Sequence, residues 1–246
     1  MLRLPPATRA DPAPTGDVPA SVPAFHASVA PSFGAAGVPA ADTSPAAPAS
    51  GRLSPEAKAA AEAGIEAMGK NKFDAAEKSF LRLLSLSPDN VSALINLGLV
   101  EFRLGRAEEA EKYFKRAIQV KPDAALAWMR LGVIDLNQDD VEAATAALAQ
   151  AVYLNPKNPQ AHNYFAVALA KRGWYDGAED ELQKVIQLAP GFAEAQFNLA
   201  LIYFQRSPPA VELARRHYQK ALDLGAAPDP AFAAKLNAAP VQTEVQ

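Results

Sequence analysis

The stretch ALAWMRLGVIDLNQDDVEAATAALAQAVYLNPKN, residues 125–158, is one copy of the unit from which most of this chain is built. The clearest markers of the unit are four prolines spaced 34 residues apart, namely Pro88, Pro122, Pro156 and Pro190. A constant period of this length is typical of supersecondary units that stack along one axis, because a single unit cannot bury its own apolar face.

Other positions keep the same spacing as the prolines. Small residues occupy one of them, at Gly64, Gly98, Gly132, Ala166 and Ala200. Alanine occupies another, at Ala76, Ala110, Ala144 and Ala178. Bulky apolar residues follow four positions later, at Phe80, Phe114, Leu148 and Leu182. This arrangement predicts two helices per unit, here called the A helix and the B helix, whose backbones approach closely at the small residues.

Local signals agree with two helices per unit. Trp128, Leu131 and Gly132 lie at i, i+3 and i+4, which places them on one helix face. A glycine such as Gly105 suits the C-terminus of the A helix. The B helix should stop before the proline, because the residue before proline disfavours helical geometry. N-cap chemistry precedes the next unit, at Asp89-Asn90 and at Asn158-Pro159.

The pattern of Trp128, Leu131, Gly132 and Asp135, followed by Ala144, Leu148, Ala151 and Pro156, resembles a tetratricopeptide repeat. The resemblance implies an all-α fold, a right-handed superhelical solenoid of stacked helix-turn-helix repeats. Five repeats are expected, near 57–90, 91–124, 125–158, 159–192 and 193–226. The fifth departs from the pattern by two extra residues at the Ser207-Pro208-Pro209 turn.

A short terminal cap is expected over residues 229–238, which complete a solenoid region spanning 54–246. Asp229 would cap this helix, and Phe232 and Leu236 would face back onto the fifth repeat. A solenoid needs such a cap because its last unit otherwise exposes an apolar face.

Residues 1–53 differ sharply from the repeats. Eleven of the 21 prolines lie within residues 1–55, which contain no isoleucine. Proline prevents long helices, and little bulky apolar surface is present to offset the entropy of ordering. The sequence predicts a disordered Pro/Ala-rich spacer over 1–53, with a Pro-rich ligand for a partner's groove as the alternative.

Composition excludes several classes of function. The net charge of −3 argues against a nucleic-acid partner, which requires clustered Lys and Arg. No run of apolar residues is long enough for a direct membrane span, and residues 1–20 lack the apolar core of a signal peptide. The default expectation is a cytoplasmic protein, or a periplasmic or envelope protein if the true start lies upstream.

No catalytic or metal-binding pattern is found. The chain has no cysteine and three histidines, His26, His162 and His217, which do not fall at ligand spacing. His162 takes the register of Trp128 and is expected in the core. No phosphate-binding glycine loop or nucleophile elbow occurs. The expectation is a protein without catalytic activity, cofactor or metal.

The resemblance implies a concave groove lined by A-helix residues, in which a protein or peptide partner binds. The residues expected there are Asn96, Leu99, Met129, Arg130, Val133, Asn163, Tyr164, Val167, Phe197, Asn198 and Leu201. Amide side chains would hold the peptide backbone and apolar pockets its side chains. Packing between helices explains Leu99, Val133 and Leu201 equally well. Replacing Phe197 and Asn198 should weaken binding without loss of helicity.

Two alternatives to groove binding remain. The solenoid would be an assembly scaffold if it self-associates through Trp174 and Tyr175 at its fourth turn. It would alternatively be the non-catalytic part of a larger enzyme or of an envelope complex.

Overall fold

The structure is a computed structural model that describes residues 53–239, so the predicted spacer falls outside the described residues except for Leu53. Within 53–239 all regular structure is helical. The helices are α1 Pro55–Gly69, α2 Phe73–Leu86, α3 Val91–Arg103, α4 Ala107–Val120, α5 Ala125–Asn137, α6 Val141–Leu154, α7 Pro159–Lys171, α8 Tyr175–Leu188, α9 Ala193–Gln205, α10 Val211–Asp223 and α11 Pro230–Ala238.

Side-chain caps start several of these helices. Asn90 Oδ1 accepts a hydrogen bond from the amide of Ala93 at 2.9 Å, and Asn158 does the same at the start of α7. Pro159 occupies the first turn, where its missing N–H costs nothing. At the turn between α3 and α4, Gly105 has φ +79°, a conformation that glycine adopts without strain. The predicted caps are therefore confirmed.

Close packing explains the glycines in register. A Cβ added at Gly98 would lie 2.7 Å from the Phe114 ring, and one at Gly132 would lie 2.6 Å from Leu148 Cγ. No side chain fits at these contacts without displacing its neighbour. Ala166 takes the same register in the fourth unit. The prediction that the A and B helices approach closely at these positions is confirmed.

Each helix packs on the helices that come before and after it in the chain. Each A helix packs on the B helix that follows it, and each B helix packs on the next A helix. In addition, α5 packs directly on α7 and α7 on α9, whereas no B helix packs on another B helix to a comparable extent. From α5 to α9 the A helices are therefore the more closely spaced, inner layer. The all-α solenoid is confirmed, while the repeat limits given above remain predictions.

The last helix closes the open end of the solenoid. Asp229 Oδ1 accepts from the amide of Phe232 at 2.9 Å, which caps α11. The Phe232 ring lies 5.3 Å from Tyr218 and 5.7 Å from Phe197, centroid to centroid. Leu236 is also buried. Phe232 and Leu236 thus face the fifth helix pair, while the limits 229–238 of the cap remain a prediction. Within residues 53–239, none of the helices has both the length and the apolar character needed to cross a bilayer.

Candidate partner-binding surface

The eleven predicted groove residues divide into two groups in the structure. Seven are buried, namely Met129, Val133, Asn163, Val167, Phe197, Asn198 and Leu201. Four keep part of their surface accessible, namely Asn96, Leu99, Arg130 and Tyr164. Only the second group is available to a partner without rearrangement of the inner layer.

Phe197 illustrates the difference. It lies under α11, with its ring centroid 5.7 Å from Tyr218 and 5.7 Å from Phe232. Replacement of such a residue by alanine leaves a cavity and costs about 3–5 kcal/mol. The expectation that Phe197 can be replaced without structural loss does not fit this packing, because the sequence register does not show that α11 covers it.

Side-chain size explains why the inner layer closes in its second half. Helix α7 is rich in small residues, with alanine at 161, 166, 168 and 170, and it packs directly on both α5 and α9. Helix α3 instead presents Ile95, Leu99 and Phe102, and it makes no comparable contact with α1 or α5. The inner helices are thus close together from α5 to α9 and further apart from α1 to α5.

An apolar strip is consequently accessible near the start of the solenoid. We call it the N-terminal strip; it consists of Ile65, Met68, Leu99 and Phe102. Ile65 and Met68 share one face of α1, and Leu99 and Phe102 occupy the same two registers on α3. Ile65 is 52% exposed. The residues in its register in the last three units, Val133, Val167 and Leu201, are 4%, 1% and 0% exposed.

Polar groups accompany the inner layer further along. Asn198 Nδ2 donates to Asn163 Oδ1 at 3.0 Å, and both side chains are buried. Among the described residues, no group bonds to Asn198 Oδ1. Burial raises the pKa of the Tyr164 hydroxyl, and the nearby Arg130 charge offsets only part of that effect. Tyr164 therefore stays protonated at neutral pH and keeps a donor for a hydrogen bond.

Sequence reasoning placed His162 in the core but did not find its partner. His162 is buried, and its Nε2 lies 2.9 Å from the carbonyl of Pro156. Trp128 makes the matching contact one unit earlier, since its Nε1 donates to the carbonyl of Pro122 at 2.8 Å. Unlike tryptophan, histidine has a second ring nitrogen, which contacts Glu181 on α8. The replacement of tryptophan by histidine in this register was the available signal.

The remaining titratable groups do not form a metal site. Within 53–239 no cluster of three or more His, Cys, Asp or Glu side chains is arranged to hold a metal ion. His217 contacts Gln196 through Nδ1 at 2.8 Å and stacks on Tyr203. Asp135 is buried, which raises its pKa to about 6, with a smaller effect from Glu111.

The two aromatic residues of the fourth turn differ in exposure. Trp174 is 53% exposed, and the guanidinium of Arg172 lies 4.1 Å from the centroid of its ring. Tyr175 is partly buried against the core of the C-terminal helices. Only Trp174 therefore offers a large free surface at this turn.

Comparison with known proteins is consistent with this architecture. A family model described as tetratricopeptide repeat matches residues 61–125 and 165–231, and a second model with that description matches 101–166. A search of the curated proteins finds no match.

Solved structures also match. A crystal structure of MamA protein is 25% identical with a TM-score of 0.59, over 76% of this chain and 98% of that chain. MamA 41-end from Desulfovibrio magneticus RS-1 is 17% identical with a TM-score of 0.62, over 70% and 96%. YrrB, described as a TPR protein with an unusual peptide-binding site, is 23% identical with a TM-score of 0.59, over 75% and 98%. The last two likenesses show the fold alone.

Proposed function

The chain belongs to the tetratricopeptide-repeat family, and from this premise we propose that it binds a protein or peptide partner on the inner face of its solenoid. Stacked helical repeats create an extended concave surface suited to such partners. The fold supports protein–protein interaction in general, and proteins of this family generally serve as interaction modules without catalysis.

The N-terminal strip is the observation that carries the proposal. Ile65 is a branched aliphatic side chain that is half exposed, and Met68, Leu99 and Phe102, which share its face or its register, are partly exposed. Contiguous apolar surface on a soluble protein favours an interaction site. Burying it against a partner gains roughly 25 cal/mol for each Å² of apolar area removed from water.

The polar groups beside the strip suit a peptide main chain. Asn96 lies one turn before Leu99 on α3, and its partly exposed amide has both a donor and an acceptor. Arg130 and Tyr164 continue the accessible inner surface, and Arg130 would receive an acidic side chain or a terminal carboxylate. The expected ligand is therefore an extended or helical segment with apolar anchors and an acidic group.

Capture with matched variants tests this proposal. The bait is the full chain, the double variant Ile65→Ser/Leu99→Ser, or the double variant Leu81→Ser/Leu188→Ser, whose two leucines are exposed on B helices. Circular dichroism first establishes that each variant keeps its helicity. A partner retained by the B-helix variant and lost by the inner-face variant supports the proposal. The opposite result contradicts it.

Self-association is a second candidate function, and the exposed indole of Trp174 favours it. Light scattering of wild type and of Trp174→Ser distinguishes the two. A wild-type oligomer that Trp174→Ser converts to a monomer would support the scaffold. A wild-type monomer would leave groove binding as the account of this fold.

A further inference from the structure

The N-terminal strip remains uncovered by any described part of the chain, and the register shows that its exposure is local. In the last three units the residues in the register of Ile65, namely Val133, Val167 and Leu201, are buried. Among the described residues no A helix precedes α1, and α1 does not pack on α3 to the extent that α5 packs on α7. The strip is therefore apolar surface on the inner layer that one additional segment could cover.

One stretch of the N-terminal region has the composition to cover the strip. Residues 21–33 read SVPAFHASVAPSF, and they contain Phe25 and Phe33, the two aromatic residues of 1–52. From Val18 to Ala41 the chain carries no Asp, Glu, Lys or Arg. Burying an unpaired charge against an apolar surface is costly because the charge must be desolvated. A segment without charged side chains can bind the strip without that cost.

The connecting segment is long enough. About 20 residues separate Phe33 from Leu53, where the described chain begins just before α1. A segment of that length reaches at most about 66 Å, at about 3.3 Å per residue. Ile65 lies about 15 Å along α1 from Pro55, at 1.5 Å per helical residue. A tether of this length holds its segment near the strip at an effective concentration on the order of millimolar.

We propose that residues 21–33 bind in cis to the N-terminal strip and compete there with the partner. The proposal rests on the proposed function for its consequence, since the competing ligand is the partner described above. In this proposal Phe25 and Phe33 supply the apolar contacts with the strip. Because only the uncovered fraction binds, the apparent affinity for a partner falls in proportion to that fraction.

Paramagnetic relaxation measured on the full chain tests the proposal without any partner. The chain has no cysteine, so Ser28→Cys accepts a single nitroxide label. We expect the methyl signals of Ile65, Met68 and Leu99 to lose most of their intensity, while Leu81 on α2 keeps its own. The loss should disappear in Phe25→Ser/Phe33→Ser and persist in the matched control Val18→Ser/Val38→Ser, which removes two apolar residues outside 21–33.

Three results would overturn the proposal. In the first, the methyl signals of the strip residues keep their intensity. In the second, the Leu81 signals lose as much intensity as those of the strip. The third is the same loss when the label and the isotopes are on separate copies of the chain, which would assign the strip to a second copy. Failure here leaves the capture experiment unaffected, because the latter depends on Ile65 and Leu99 rather than on residues 21–33.

Discussion

His162 on α7 and Glu181 on α8 form a buried hydrogen-bonded pair that joins the two helices of the fourth unit. The other ring nitrogen of His162 faces the carbonyl of Pro156 at 2.9 Å. Both neighbours of the ring are acceptors when Glu181 is ionised, so the arrangement is satisfied when both ring nitrogens carry protons. Lys184 adds a further donor to Glu181 at 2.8 Å.

The pair predicts a window of pH in which the fourth unit is most stable. The hydrogen bond that His162 donates to Glu181 raises the pKa of His162 above its ordinary value, so the stability that the pair contributes is lost as pH rises through the folded-state pKa. Burial raises the pKa of Glu181, but the bonds from His162 and Lys184 outweigh it and leave that pKa lowered. The stability that the pair contributes is therefore also lost at low pH. It is fully present between the ordinary pKa values of the two groups, about 4.5 and 6.5.

Glu181→Gln tests this pair. We expect the free energy of unfolding to fall by about 1–3 kcal/mol near pH 6, since the acceptor of a buried hydrogen bond from charged His162 loses its own charge. The difference should shrink near pH 8.5, where neutral His162 can accept a bond from the amide. Urea unfolding at both pH values measures it, with the exposed neighbour Asp180→Asn as control. An equal loss at both pH values would show that His162 is not the titrating partner.

Removal of the charge of Asp135 should raise the free energy of unfolding, which is the opposite of the effect expected for Glu181→Gln. Burial first, and then the charges of Glu111 and Asp140, raise its pKa to about 6. The contribution of Asp135 to the free energy of unfolding is therefore fully present below the ordinary pKa of an Asp carboxyl. It is lost as pH rises from about 4 to 6. Asp135→Asn should raise the free energy of unfolding near pH 8 by about 1–3 kcal/mol, at about 1.4 kcal/mol per unit of pKa.

Glu101 provides the matched control for Asp135, because it occupies the same register one unit earlier. It is buried like Asp135, but it bonds to Arg106 at 3.1 Å. Glu101→Gln should therefore lower stability in the same urea experiment. If both substitutions change stability in the same direction, the cation beside the carboxylate is not what distinguishes the two sites.

The contact between Gly98 and Phe114 predicts a coupled pair of substitutions. Gly98→Ala should cost about 1–3 kcal/mol, because the new Cβ overpacks against the ring. Combination with Phe114→Leu should restore part of the loss, because Ala166 and Leu182 occur naturally in these registers. A double-mutant cycle by urea unfolding measures the coupling. Gly69→Ala, where a Cβ meets no atom within 4 Å, is the control and should not destabilise.

Removal of the terminal cap should loosen the end of the solenoid first. Phe232→Ala leaves a cavity against Phe197 and Tyr218, and we expect a loss of about 3–5 kcal/mol. Because repeats couple to their nearest neighbours, hydrogen exchange should rise most in α9 and α10. Ala234→Ser on the exposed side of α11 is the control. Equal acceleration in α1 and α10 would contradict a local cap.

The sequence was sufficient for the fold because each local signal repeats in register. Asn90 and Asn158 cap helices where the period predicts them, and Gly98 meets Phe114 as the alternation of small and bulky residues requires. The family positions also place the A helices inside. These features depend on residues within one unit or at a fixed spacing.

The accessible part of the inner face could not be predicted in the same way. Whether Leu99 or Val133 is accessible depends on the distance between successive A helices, and that distance depends on side-chain volume across three units. The alanines of α7 draw α5 and α9 close, which buries Val133, Val167 and Leu201. Phe197 is covered by a helix more than 30 residues later. The position of a residue within one repeat indicates neither the distance between A helices nor the cover that α11 provides for Phe197.

The most direct test of partner binding on the inner face compares two side chains of the first helix pair. Ile65 on α1 is 52% exposed and belongs to the N-terminal strip, while Leu81 on α2 is 43% exposed and lies on the B helix. Calorimetric titration of the captured partner into Ile65→Ser and Leu81→Ser measures both affinities. We predict a loss of about tenfold or more for Ile65→Ser, equivalent to about 1.4 kcal/mol, and wild-type affinity for Leu81→Ser. Wild-type affinity for Ile65→Ser together with a loss for Leu81→Ser would contradict binding on the inner face.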